Sequence, residues 1–385
     1  MAMFSVIVPV FQTPEILRLF LDSLKTTLTR DTDIIFVNDG SGYVVQTMLQ
    51  AFQQEAFPGG QHVRVTALEN HISLGSATAI NTALRLIDPS CDYVVFLDSD
   101  TILQGRWQEE LIANFASDDI GALGGVLLYP QSGGIQCCGL TYCGNAGRHL
   151  YLNANPNILD DTGPFDVQAT VFAFCCVRRT IAEQVGLLDE HFFNGYEDLD
   201  YQFRLRKLGY RILTIPSIRH YHWEKSNGFH RAFNRKSNLG LFWKKHGDYV
   251  ENDLFRFLAC GFKRMRAVPG PYTVVDFCEG RDTANAVRKW LDVYDVIPIS
   301  SWMDASYACR SGETIWLPEL LDSGQVFHRQ PFIFLCDQLV QLLDNQYWWS
   351  IRQQNGCDDL IVDLCGNVLL FSQLQHSFWP GRKMR

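Results

Sequence analysis

The strongest constraint on this chain is a repeated ending. Four short apolar runs, Phe4 to Val10, Asp33 to Val37, Val63 to Leu68 and Tyr93 to Leu97, each give way to polar residues. After the first run, Thr13 is expected to cap a helix with Pro14 at its first position. Ile16, Leu17, Phe20, Leu21, Leu24 and Leu28 then form a stripe of helical period. After the third run, Ser73-Leu74-Gly75-Ser76 leads into a second expected helix, Ala77 to Ile87. Strands alternating with helices build β-α-β units around a mostly parallel sheet. The strand-closing residues Pro9-Val10, Asn38-Asp39 and Asp98-Ser99-Asp100 should therefore collect along one sheet edge, where open α/β sheets bind ligands.

The most informative of these endings is Asp98-Ser99-Asp100. Residues i and i+2 of an extended segment point to one side, so both carboxylates can aim at one point beyond the strand. Two hard oxygen ligands suit Mg²⁺ or Mn²⁺, with a diphosphate completing the shell. A polar turn capping a buried strand explains the same tripeptide without chemistry. Neither G-x-G-x-x-G nor G-x-x-x-x-G-K-[ST] occurs, so a metal on Asp98 and Asp100 is the available phosphate holder.

A second stretch runs from Gly186 to His222. Glu197 and Asp198 open a helix that continues to Leu208 and closes at Gly209. The helix dipole favours ionised carboxylates in that first turn, although acidic capping alone accounts for the pattern. Asp200 and Arg204, at i and i+4, form an expected structural pair. In Ile218-Arg219-His220-Tyr221-His222 the two histidines share a side, and one could complete the metal site. Between these stretches, helix 105–116 carries Trp107, and strands are expected at 120–129, 134–140, 147–152 and 168–177.

Charge and composition exclude several classes. A net charge of −9 argues against nucleic acid as a partner. The opening Met1-Ala2-Met3-Phe4 lacks the basic region of an export signal, and no apolar run approaches the ~18 residues of a membrane span, so a cytoplasmic protein is expected. The twelve cysteines show no C-x-x-C pair and are expected to be reduced core fillers. From 228 to 268, nine basic residues face three acidic ones, with aromatics interleaved. Such helices either pack their aromatics on a core or make peripheral contact with an anionic membrane face through 229–268. Pro269-Gly270-Pro271 breaks the chain before a small α/β region without a motif of its own.

Taken in order over roughly residues 4–228, these residues resemble the family-two glycosyltransferases, which have the GT-A fold. The resemblance rests on the opening strand, Val37-Asn38-Asp39-Gly40-Ser41, Gly75 ahead of Asn81, and Phe96-Leu97-Asp98-Ser99-Asp100. It continues through Ile135-Gln136 with Gly139, Arg178-Arg179 before Val185-Gly186, Asp189-Glu190 with Phe192-Phe193, Glu197-Asp198-Leu199-Asp200 with Arg204, Gly209, Pro216 and His222. The likeness is greatest to the bacterial branch that builds O-antigens, capsules and related glycans, including rhamnosyltransferase-like members.

The resemblance implies an inverting sugar transfer from a nucleoside-diphosphate sugar, UDP or dTDP favoured, to a hydroxyl of a glycan or lipid-linked glycan in surface polysaccharide assembly. It implies that Asp39 contacts the pyrimidine base with Pro9, Val10 and Phe11 beside it, and that Gly75 and Ser99 line the nucleotide. Asp98 would face ribose and metal, and Asp100 and His222 would ligate Mn²⁺ or Mg²⁺. Asp198 would be the base, with Trp107, Phe172 and Glu197 on the acceptor side. Ser73 stands where Asn is usual, and Phe172 where Gly is frequent. The expected domains are 1–228 catalytic, 229–270 basic-aromatic helices and 271–385 small α/β, with a location in the cytoplasm or at the inner membrane face. The alternatives are a catalytically silent glycan-binding or scaffolding subunit, and a sugar nucleotidyltransferase. The latter needs an early glycine-rich basic loop that residues 9–15 do not supply.

Overall fold

In the computed structural model, residues 3–57, 59–224, 228–265, 272–278, 282–292, 296–298, 332–339, 352–354, 356–357, 359–373 are described. The expected alternation opens the chain as β1 (Phe4–Val10), α1 (Pro14–Thr27), β2 (Thr32–Asp39), α2 (Tyr43–Gln53), β3 (Val63–Asn70), α3 (Ser76–Leu84) and β4 (Tyr93–Leu97). Helix α2 goes beyond the sequence reading. Val45, Leu49 and Phe52, spaced four and three apart, bury one face of it while Tyr43 and Val44 stay exposed. At α1, Leu17, Phe20, Leu21 and Leu24 are buried as the stripe requires. Thr13 occupies the capping position but is left-handed and makes no side-chain cap bond. The expected cap is thus only a backbone one, from Leu17 N–H to the Thr13 carbonyl.

The chain continues as β5 (Thr101–Ile102), α4 (Trp107–Asn114), β6 (Ile120–Leu128), β7 (Ile135–Cys137), β8 (Leu140–Cys143), β9 (Ala146–His149), β10 (Phe165–Val167) and β11 (Phe174–Arg178). After them come α5 (Arg179–Val185), α6 (Glu197–Lys207), β12 (Arg211–His222), α7 (Gly228–His246) and α8 (Leu254–Met265). The last elements are β13 (Tyr272–Asp276), α9 (Asp282–Asp292), β14 (Val296–Pro298), β15 (Phe332–Cys336), β16 (Leu360–Asp363) and β17 (Val368–Leu370). The single strand expected over 168–177 begins only at Phe174. Gln202 takes the backbone N–H and carbonyl of Thr170, so that residue bonds to a side chain instead of to a neighbouring strand.

Two compact units divide the chain. The first comprises Met1–Gln131, Cys137–Gly139 and Ile158–Val250; the second comprises Ser132–Gln136, Leu140–Asn157 and Glu251–Arg385. Residues 229–270, read above as one helical segment, are split, with α7 in the first unit and α8 in the second.

The sheet of the first unit runs β10-β12-β6-β11-β4-β1-β2-β3, with β5 beside β12. Strands β3, β2, β1 and β4 are parallel neighbours, and β11 lies antiparallel between β4 and β6. The register sets Val10 beside Asn38 and Asp39 beside Asn70, so the strand ends do share an edge. Because β11 is antiparallel, the segment preceding it lies at that same edge, with Phe174 opposite Leu97.

In the second unit, β14-β13-β15-β16 form a parallel sheet closed by antiparallel β17. Its core joins Leu254, Leu258 and Phe262 of α8 with Val287 and Leu291 of α9 and Ile333, Leu335, Leu360 and Val362 of the strands. Burying each such side chain contributes about 1.5–3 kcal/mol. Among the described side chains of 229–268, Phe242, Phe257 and Phe262 are buried, so these aromatics pack inward rather than facing a membrane. No helix among the described residues is long and apolar enough to cross a membrane. The described cysteines are free thiols, and all but Cys260 are buried.

Candidate active site

A two-residue strand assembles the metal-type cluster. Past β4 the chain turns, with Thr101 N–H bonded to the Asp98 carbonyl. It then pairs as β5 with the end of β12, setting Thr101 opposite His222 and Ile102 opposite Tyr221. Trp223 N–H closes on the Asp100 carbonyl at 3.1 Å. His222, 122 positions after Asp100 in the chain, therefore arrives beside it. Its Nε2 lies 3.2 Å from Asp100 Oδ1 and 3.7 Å from Asp98 Oδ2. Asp100 and His222 are buried, and Asp98 is partly exposed. Burial works against the imidazolium, but the bond to Asp100 and the charges of Asp100, Asp98 and Glu224 outweigh it and raise the His222 pKa.

Among the described residues, these three form the one His/Cys/Asp/Glu group compact enough to share a cation. Two hard carboxylate donors and one imidazole fit a divalent ion such as Mn²⁺ or Mg²⁺. His220 is excluded from the group. It lies fully buried with its ring edge-on to Phe174, and its Nδ1 accepts the Gln104 N–H. Burial lowers its pKa to about 3.

Asp39 organises the next loop. Oδ1 accepts from Asn70 Nδ2 (2.8 Å) and Leu74 N (2.9 Å); Oδ2 accepts from Ser73 Oγ (2.7 Å) and Gly75 N (2.9 Å). All four of its lone-pair positions are engaged. Gly40 has φ +77°, and a Cβ there would meet Ser73 N at 2.5 Å, so only glycine lets the two loops approach. Ser41 Oγ accepts the Gln12 N–H and donates to the Val10 carbonyl, holding the 10–13 loop beside it. Pro9 and Phe11 are half-buried, whereas the Val10 side chain lies wholly in the core and cannot touch a ligand. Ser99 is buried in the turn between the two aspartates.

Helix α6 brings the other carboxylates. Tyr201 packs edge-on against Phe96, two residues before Asp98, and against Phe172. Phe172 is stacked on Phe96 at 4.1 Å and is buried. Asp198 is partly buried, and its Oδ1 accepts the Leu199 N–H at 2.8 Å. Glu197 is buried and accepts the Gly195 N–H. Burial, then the neighbouring Asp198 charge, push its pKa up to about 7. Trp107 is not brought to this group. It sits in the core between Phe4 and Phe174 with its indole N–H on Thr27, so it has no face for an acceptor.

Sequence reasoning missed the residues that hold these pieces. Asn194 Oδ1 accepts the Ser76 N–H, Asn238 of α7 donates to the carbonyls of Phe193 and Gly195, and His246 and Lys245 bond Asp200. Asn194-Gly195 just before an acidic helix start was the available local signal. Nothing local marks Asn238.

Residues 5–165 match the family model described as glycosyl transferase family 2. A pre-mycofactocin glycosyltransferase of Mycobacterium tuberculosis is 27% identical over 217 residues, 55% of this chain and 41% of that protein. The O-antigen biosynthesis protein RfbC of Myxococcus xanthus is 25% identical over 234 residues, 58% of this chain and 17% of that protein. The match thus spans less than half the length of these curated relatives. Among solved structures, residues 1–349 of S. aureus TarS are 15% identical, with a TM-score of 0.40 over 58% of this chain and 60% of that one. The mannosyltransferase PcManGT of Pyrobaculum calidifontis, in complex with GDP-Man and Mn²⁺, is 15% identical, with a TM-score of 0.46 over 91% and 84%.

Proposed function

We propose that the chain, whose residues 5–165 match the glycosyl transferase family 2 model and lie on a mostly parallel α/β sheet, carries out an inverting, metal-dependent sugar transfer. The donor is a nucleoside-diphosphate sugar, with UDP or dTDP favoured because uracil and thymine present the same imide edge to the Asp39 loop. The acceptor is a hydroxyl of a glycan or lipid-linked glycan. The O-antigen role in the name of the Myxococcus xanthus relative supports that acceptor class.

One observation carries the reading, the convergence of Asp98, Asp100 and His222 at the strand edge. These residues would hold Mn²⁺ or Mg²⁺, whose contribution is to neutralise charge growing on the leaving diphosphate. Asp198 takes the proton from the acceptor hydroxyl as that oxygen attacks the anomeric carbon. Asp198 lies in the first turn of α6, partly buried. Glu197, buried and shifted upward, holds a proton more readily than an exposed carboxyl, so the two neighbours divide into a structural acid and a working base.

The test is release of nucleoside diphosphate from a panel of UDP-, dTDP- and GDP-sugars with Mn²⁺ and glycan acceptors. Asp198→Asn is expected to retain nucleotide binding and to lose roughly 10²–10⁴-fold in transfer. Wild-type transfer by that variant would remove Asp198 as the base. No release from any donor would favour a catalytically silent subunit.

A further inference from the structure

The segment that delivers Asp198 is bent into an unusual shape and held from two sides. Asn194 and Tyr196 both adopt left-handed backbone, with φ of 52° and 73°. Such conformations persist in non-glycine residues only where surroundings fix them. Here α3 and α7 do so. From α3, Ser76 N–H bonds Asn194 Oδ1 at 3.0 Å, and Asn81 exchanges hydrogen bonds with the backbone of Leu188. From α7, buried Asn238 donates to the Phe193 and Gly195 carbonyls at 3.0 and 2.8 Å, and Phe242 packs on the Tyr196 ring.

Ser76 is the shared point. It directly follows Gly75, whose N–H lies on Asp39. Gly75 itself has φ +90°, and a Cβ there would meet the Phe193 ring at 2.9 Å. The loop organised by Asp39 and the segment leading into α6 are thus in direct contact over residues 75–76 and 193–194.

We propose that Asn194 is a positioning residue, tying the start of the Asp198 helix to the Asp39 loop so that the donor side and the proton-accepting side of the site are held as one piece. The proposal rests on the transferase reading for its consequence, and on the Ser76–Asn194 bond for its structure.

Two substitutions separate the side chain from the backbone. Asn194→Gly keeps the left-handed conformation and removes the acceptor; Asn194→Asp keeps both. In hydrogen exchange on the ligand-free full chain, Asn194→Gly is expected to speed exchange of peptides covering 74–79 and 193–200 by about tenfold, the equivalent of one lost hydrogen bond. Asn194→Asp is expected to match wild type. In nucleoside-diphosphate release, Asn194→Gly should lower kcat by about tenfold with the donor KM nearly unchanged, and Asn194→Asp should restore it. Unchanged exchange in both peptides would overturn the tie. Faster exchange with wild-type kcat would overturn its positioning role. A wild-type chain that releases no diphosphate would count against the transferase reading, while the exchange result still decides the tie.

Discussion

Asp39 accepts four hydrogen bonds from residues 70–75 at the end of β3 and beyond it, one of them from Ser73. The resemblance implied that this carboxylate reads the base, and Ser73 stood out only as a departure from the usual asparagine. The geometry gives Ser73 a purpose, since its hydroxyl fills a lone-pair position that a base N–H would have to take over. Among the four donors it is the most readily turned aside, being a rotatable hydroxyl. At the metal-type cluster the raised His222 pKa has a consequence of definite sign. A divalent cation needs the neutral ring, so it competes with the proton. Mn²⁺ affinity should climb as pH rises through the raised His222 value and level off above it, measured by titration calorimetry over a pH series. Affinity that is flat with pH would deny His222 a ligand role. Without metal the same shift acts the other way on stability: it stabilises the fold below the unfolded histidine value and is lost as pH rises through the folded one. The aspartates were legible because i and i+2 geometry is local. Spacing made His222 legible as one of a pair and the resemblance singled it out; the pairing of β5 with β12 is what sets it beside Asp100.

Helix α6 shows what an element can and cannot disclose by itself. Its Asp200–Arg204 pair was visible at i and i+4, and the bond is there at 2.9 Å. The sequence could not show that Lys245 and His246 of α7 converge on the same fully buried carboxylate, because their separation of over forty residues carries no periodic signal. Burial opposes the Asp200 charge, but the bonds from His246 and Lys245 and the Arg204 and Lys245 charges overcome it and lower the pKa. Asp200→Asn keeps the shape but leaves these groups uncompensated. It is expected to cost about 2–4 kcal/mol, toward the lower end of the range for a broken buried pair because Arg204 and Lys245 reach solvent. Denaturant unfolding checks this, and a change within ~0.5 kcal/mol would mean that the network is not coupled to the fold. In the wild type, stability from Asp200 is present above the unfolded carboxylate pKa and is lost as pH falls through the lowered folded value.

At the scale of the whole molecule, order along the chain and order in space part company. Apart from α2, the strand–helix alternation of residues 4–97 was legible because each period is local, and it puts Asp39 at the end of β2 and Asp98 just past β4. The division into units was not, since residues 132–136 and 140–157 lie in one unit with 251–385 while their flanking segments lie in the other. Hydrophobic pattern shows that the β8 and β9 segment buries a face, without showing against what. The central claim, however, depends on a single group of atoms in the first unit. The most direct measurement is calorimetric titration of UDP and dTDP into the full chain with and without Mn²⁺, repeated for Asp100→Ala. The predicted result is binding that requires Mn²⁺ in the wild type and weakens by at least about tenfold in the variant. Equal affinity in all conditions would contradict the assignment of Asp98, Asp100 and His222 as the metal and diphosphate site.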